Sequence, residues 1–301
     1  MTSPNQSDFA PEVRRSAWWS GDSRKAANGK AADVILEKQG KKDIPDLSGI
    51  EEVQMGKVME PTIARLFQDK HRIELKDADY ALSHPTEPWL RSHFDYISAD
   101  GRTLVECKNY NMGVMSKFDE DTNLVPAADL AQLIHEAAVH NVQSVYLAVL
   151  FGGQKFRTYH FTITQEMKDE LIQEMAKFWS YVATNTTPEP DSLDAAKIIY
   201  PTDNGQTLTA TESVEKACAI LREYKTRINQ LESESEQIEL AIRNFMADKA
   251  NLIDLGGKVL ATWKSAKSSH KFDAKLFQQA MPDIYEKFVV EMPGSRRFLL
   301  K

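Results

Sequence analysis

The sequence predicts an α/β core with a central mixed sheet flanked by helices, followed by a mainly helical C-terminal region. Three observations predict it. Strand-like runs (Trp89 to Ile97, Arg102 to Lys108, Ser144 to Phe151, Phe156 to Ile163) are interleaved with helical patterns. Ser144 to Phe151 reads SVYLAVLF, the nearly continuous apolar run of a strand buried on both faces. Beyond residue 211 strand signals give way to apolar residues in alternating steps of three and four.

Taken in order, the opening residues are polar, with Pro4 and Pro11, and read as a flexible arm over 1–13. Arg14 to Lys42 is locally basic and contains Trp18 and Trp19. It is either a solvated helix face around buried tryptophans or an entry that contacts phosphates. Ala26 to Gln39 reads as a helix ended by Gly40. Ile50 to Asp69 is helical, with a kink or a fresh start near Pro61. Ala99-Asp100-Gly101 is a hairpin turn between two strands. Ala127 to Asn141 and Gln165 to Val182 are helical, and Gly152-Gly153 turns one strand into the next. Asn185 to Asp194, with Pro188 and Pro190, is the best linker candidate. The core domain is expected over 14–200 and the C-terminal region over 211–301.

In that last region Val214, Ala217, Leu221, Tyr224, Ile228, Leu231, Ser235, Ile238, Ile242 and Phe245 form an unbroken heptad seam. Such a helix packs within its own chain or oligomer, or docks a partner. A turn at Gly256-Gly257, a short strand over Lys258 to Lys264 and a small helical tail complete the chain.

Composition excludes several classes. The 301 residues hold 37 Lys+Arg against 44 Asp+Glu, a formal charge of −7, so a general basic DNA coat is excluded. A local basic face is not. Two cysteines leave no disulfide framework and no four-cysteine metal site. Histidine spacing gives no zinc motif, and no phosphate-binding loop of the ATPase kind is present. Cys107 and Cys218 read as inert thiols. Without a secretory or membrane-spanning apolar run, a cytoplasmic protein with no membrane partner is expected.

The chemistry concentrates in WLRSHFDYISADGRTLVECK, Trp89 to Lys108. Glu106 and Lys108 are two apart on one strand and share a face, while Cys107 points to the core. The hairpin can bring Asp95 beside Glu106. Two carboxylates at one point repel, but suit a hard divalent cation such as Mg²⁺. A lysine beside them can position or deprotonate water and offset charge on a phosphate. Glu60, on an upstream helix, is a third carboxylate in reach.

An Asp followed by Glu-x-Lys, after a helix with a Glu, resembles the PD-(D/E)XK nuclease core. The longer order LSGIEEVQMGKVMEPTIARLF, HPTEPWLRSHFDYI, VECKNYN and DLAQLIHEAAVHNVQSVYLAVLFGGQKF resembles the lambda-exonuclease-like (YqaJ-type) viral recombinase nucleases, over about Arg14 to Val182. The resemblance implies a restriction-endonuclease-like core and a 5′→3′ exonuclease on linear double-stranded DNA. Its product would be 3′ single-stranded overhangs for phage-type recombination in a bacterial cell.

Asp95, Glu106 and the backbone carbonyl of Cys107 would then be ligands at two Mg²⁺ positions, with Mn²⁺ able to replace Mg²⁺. Lys108 would act on the nucleophilic water and Glu60 would bind or orient a metal-bound water. Gln132 would orient the lysine or contact DNA. Arg15 and Ser23 are implied for the 5′-phosphate, with Arg91 and His135 as further DNA contacts. Partners implied are DNA ends, a single-strand annealing protein and further copies in a trimeric ring. The chain departs from the family at SGDSRKAA, where Gly-Gly-Ser-Asp is usual, and at Tyr96, where Gly usually follows the Asp. An endonuclease of the same superfamily and a non-catalytic end-binding scaffold are the alternatives.

Overall fold

The computed structural model of the protein describes residues 10–78, 80–291 and 294–301. The chain forms two compact units, divided between Pro201 and Thr202.

The first unit is built on a five-stranded sheet. Its strands are β2 (Leu75–Asp77), β5 (Tyr96–Ser98), β6 (Thr103–Tyr110), β7 (Ser144–Phe151) and β8 (Lys155–Thr162), adjacent in that order. β6 and β7 run parallel and the other neighbours antiparallel, so the sheet is mixed. A smaller sheet places β4 (Leu90–His93) between β1 (Trp18–Trp19) and β3 (Ala81–Ser83).

Helices cover both faces of the large sheet. α4 (Glu51–His71) packs Ile63, Ala64 and Phe67 on Val105, Cys107, Ala148 and Leu150. On the other face, α5 (Ala127–His140) and α6 (Gln165–Ala183) close over Leu104, Val145, Leu147, Val149 and Phe151. β7 is therefore buried on both sides, as its apolar run predicts. Each such side chain stabilises the fold by about 1.5–3 kcal/mol. The turn after β7 needs left-handed backbone at Gly152 (φ +56) and Gly153 (φ +69), which glycine adopts without strain.

Several expectations are corrected. Of the arm over 1–13, residues 1–9 lie outside the described residues, while Pro11–Arg15 is a helix, α1. The Ala26 to Gln39 helix is really two, α2 (Ser20–Ala27) and α3 (Ala31–Lys38), parted at Asn28-Gly29, where Gly29 has φ +70. α4 continues through Pro61 as one helix, with no fresh start there. The Trp89 to Ile97 run is two strands in two different sheets, parted at Phe94-Asp95. The expected linker belongs to the first unit. Pro188 is buried, Asp191 accepts the N–H of Ala32 at 2.8 Å, and α7 (Leu193–Ile199) packs on α3.

The second unit is dominated by α8 (Glu212–Met246), 35 residues long. A hairpin of β9 (Asn251–Ile253) and β10 (Val259–Thr262) follows, then the short helices α9 (Ala274–Ala280) and α10 (Pro282–Tyr285). The seam of α8 does not pack within the unit: Val214, Tyr224, Ile228, Leu231, Ile238 and Phe245 are all at least half exposed. Among the described residues, no helix is long and apolar enough to cross a membrane.

Candidate active site at the β5–β6 junction

The short hairpin between β5 and β6 sets the site. Tyr96 pairs with Val105, the last pair of the ladder. Asp95 lies one step beyond, level with Glu106. Its carboxylate accepts the N–H of Cys107 at 2.8 Å, the bond that a longer β5 backbone would have accepted. N–H and C=O of one strand residue point to the same edge, so the Cys107 carbonyl also faces the Asp95 side.

Glu106 and Lys108 emerge on the α5 face. Lys108 Nζ donates to Glu106 Oε1 at 2.5 Å. Gln132 Nε2, from α5, donates to the same oxygen at 2.7 Å and to Glu136 Oε1 at 2.9 Å. One amide thus clamps two buried carboxylates. The sequence reading missed Glu136. Its position one helical turn after Gln132 is the only local signal, since i and i+4 share a helix face. Glu60 sits half-buried on α4, on the opposite side of the sheet.

The electrostatics follow from burial and crowding. Asp95 is pushed well above the ordinary carboxylate range by burial and then by the Glu106 charge, with Glu60 adding to it. Glu136 is raised in the same way, by burial and then by Glu106. Lys108 loses solvation on burial, but Glu106 and Asp95 hold its ammonium above the usual lysine range. Burial pushes the Cys107 thiol up as well, so it is an inert core group.

The donor set fits a hard divalent cation. Asp95, Glu106 and the Cys107 carbonyl offer oxygen only, and their excess negative charge is met by one lysine. Mg²⁺ is commonly held by one or two carboxylates, with water and phosphate completing its shell. Among the described residues, no three His, Cys, Asp or Glu side chains are arranged to hold a metal ion.

The DNA-contact residues fare differently. Ser23 and His135 are both fully buried. Ser23 Oγ lies 2.8 Å from His135 Nδ1 and accepts Trp18 Nε1–H at 3.1 Å, while His135 Nε2 lies 2.9 Å from the Arg91 carbonyl. With no exposed surface, these two side chains tie α2 to α5 and β4. Burial lowers His135 to about 4. Arg15 donates to the Glu37 carbonyl at 3.2 Å.

The basic segment is largely neutralised from within. Arg24 pairs with Asp129, Lys25 with Glu37, Lys42 with Asp33, and Lys38 with the buried Asp22. Trp18 and Trp19 are core residues. Arg91 differs. Its guanidinium lies 4.8 Å from the Trp19 ring centre, and its Nε has no hydrogen-bond partner among the described residues.

Residues 21–143 match the YqaJ-like viral recombinase domain, a span that contains Asp95, Glu106, Lys108 and Gln132. The uncharacterised protein YqaJ of Bacillus subtilis (strain 168) is 24% identical over 304 residues, covering 94% of this chain and 93% of its own. The alkaline exonuclease LHK-Exo of Laribacter hongkongensis aligns with a TM-score of 0.48 at 11% identity, covering 60% of this chain and 94% of its own. A phage related exonuclease of Haemophilus somnus 129PT aligns at 0.42 and 12% identity, covering 54% and 81%.

Proposed function

We propose, for a chain whose residues 21–143 match the YqaJ-like viral recombinase domain, that the protein is a divalent-cation-dependent deoxyribonuclease. It digests linear duplex DNA from the 5′ ends and leaves 3′ single strands for recombination. One observation carries the nuclease reading: Asp95, Glu106 and Lys108 meet at the end of β5, with Gln132 closing over Glu106. The polarity and the product follow from the sequence resemblance.

Asp95, Glu106 and the Cys107 carbonyl are the residues that would hold Mg²⁺ or Mn²⁺. When bound, such an ion draws in a phosphate and makes water a better nucleophile. Lys108 offers N–H protons beside that position, to orient water or to meet charge on the phosphoryl oxygens. Gln132 fixes the Glu106 carboxylate, and Glu136 fixes Gln132. Glu60 adds negative charge from the far side of the sheet. Arg91 is the remaining phosphate contact, since its guanidinium lies over Trp19 and its Nε donor is unused. A single-strand annealing protein and a ring of three copies are the partners this reading brings with it.

The test is digestion of a linear duplex labelled at its 5′ or its 3′ ends, beside a covalently closed circle, with Mg²⁺. Wild type and Lys108→Ala are compared. Early loss of the 5′ label, on linear DNA alone and absent in the variant, is the expected result. Cutting of the circle would make the protein an endonuclease. End binding without cutting would make it a scaffold.

A further inference from the structure

α8 is a 35-residue helix whose seam side chains are 36–80% exposed at every large apolar position. A lone helix does not leave such a stripe in water without a partner. The following hairpin only flanks the seam's C-terminal end, where Ser235, Ile238 and Ile242 share a groove with Ala261, Thr262 and Trp263. It packs beside the seam, burying Met246 and setting Trp263 5.3 Å from the Arg243 guanidinium. Ile238 and Phe245 stay open.

We propose that the occupant is the α8 helix of a second copy, paired antiparallel. Charge decides the direction. Around the seam, the first half of α8 carries Lys225 and Arg227, and the second half carries Glu232, Glu234 and Glu239. Antiparallel pairing centred between Asn229 and Gln230 sets Lys225 against Glu232 of the second copy, and Arg227 against Glu234. The two-fold axis repeats both pairs. Parallel pairing keeps one attraction, Arg227 to Glu232, but opposes Glu234 to Glu239. Flanking charges of this kind set orientation in coiled coils.

The register agrees independently. Asn229 is the midpoint of Glu212–Met246, so this centre overlaps the helices almost completely. It also matches sizes across the seam. Small Ala217 meets Ile242, Val214 meets the large Phe245, and Ser235 meets the hydroxyl-bearing Tyr224. This inference stands apart from the nuclease reading, because no residue of the β5–β6 junction enters it.

The test uses the full chain. Light scattering compares wild type with the Ile228→Glu, Leu231→Glu variant, which places like charges in the middle layer. The assembly mass is expected to fall twofold. Direction is read from Ile220→Cys with Ala241→Cys, in a Cys218→Ser background, treated with a short bismaleimide. Those positions face each other in the antiparallel pair but stand about 31 Å apart along one helix. A cross-linked dimer in the double variant, absent from either chain with one introduced cysteine, is expected. A monomeric wild type, an unchanged mass, or cross-linking of a chain with one introduced cysteine as efficient as that of the double variant would each overturn the proposal.

Discussion

Asp95 accepts the backbone N–H of Cys107 at 2.8 Å, which fastens one acid of the site to the strand carrying the other. Asparagine can accept the same bond through its amide oxygen. Asp95→Asn should therefore keep its melting temperature within a few degrees, yet lose its share of the cation site. Digestion is expected to slow by about 10²–10³. Calorimetric titration with Mn²⁺ should show weakened binding. Unchanged binding would remove Asp95 from the ligand set.

Lys108 donates to Glu106 while remaining about one-fifth exposed, at 22%. Lys108→Met keeps most of the length and removes the charge. We expect turnover to fall roughly 10²-fold or more, with little change in affinity for DNA ends. Single-turnover digestion separates the two. An effect confined to affinity would make the lysine a binding contact alone.

His135 has no exposed surface and is lowered by its burial to about 4. An unfolded histidine titrates near 6.5. Between those values the unfolded chain binds the extra proton, so stability falls as pH drops from about 6.5 to about 4. The loss is about 3 kcal/mol. His135→Gln should flatten that part of the profile, as measured by urea unfolding at stepped pH. A variant that keeps the wild-type slope would show that other groups cause it.

Lys38 and Asp22 form an ion pair that is almost fully buried, at 2.5 Å. Asp22 also accepts the Trp19 N–H at 2.8 Å. Lys38→Met strands most of that carboxylate's charge, although Arg14 at 3.7 Å offsets part of it. A loss of about 3 kcal/mol is expected in urea unfolding. Restoring neutrality with Asp22→Asn in the same chain should recover some of it.

Much of the sheet was legible because its signals are local. SVYLAVLF announces β7, and two glycines announce the turn after it. The two-residue spacing of Glu106 and Lys108 already fixes their common face. The contacts that hold the helices around the site are not local. Ser23 and His135 are 112 residues apart in sequence, and a polar pair of that kind leaves no periodic trace. Ser23 looks like a surface serine until α2 is packed on α5. The basic look of Arg14 to Lys42 hides its pairing for the same reason: Asp22, Asp33 and Glu37 lie within the segment, but Lys38 reaches Asp22 and Lys25 reaches Glu37 only once α2 and α3 are packed together. The heptad pattern gave the existence of α8, but not whether its own chain covers it.

The bonds around α3 also decide where this chain can be shortened. Gln39 Nε2 donates to the carbonyls of Tyr181 and Thr186, and the N–H of Ala32 is capped by Asp191. The proline-bearing stretch that looks like a tether is thus a clasp across the first unit. A chain stopped at Asn185 would uncap α3 and expose Ala32 and Leu36, which pack on Ala195 of α7. One stopped at Pro201 keeps every one of these bonds. Limited proteolysis should accordingly open the exposed 202–210 stretch first and leave a resistant fragment with the clasp still closed.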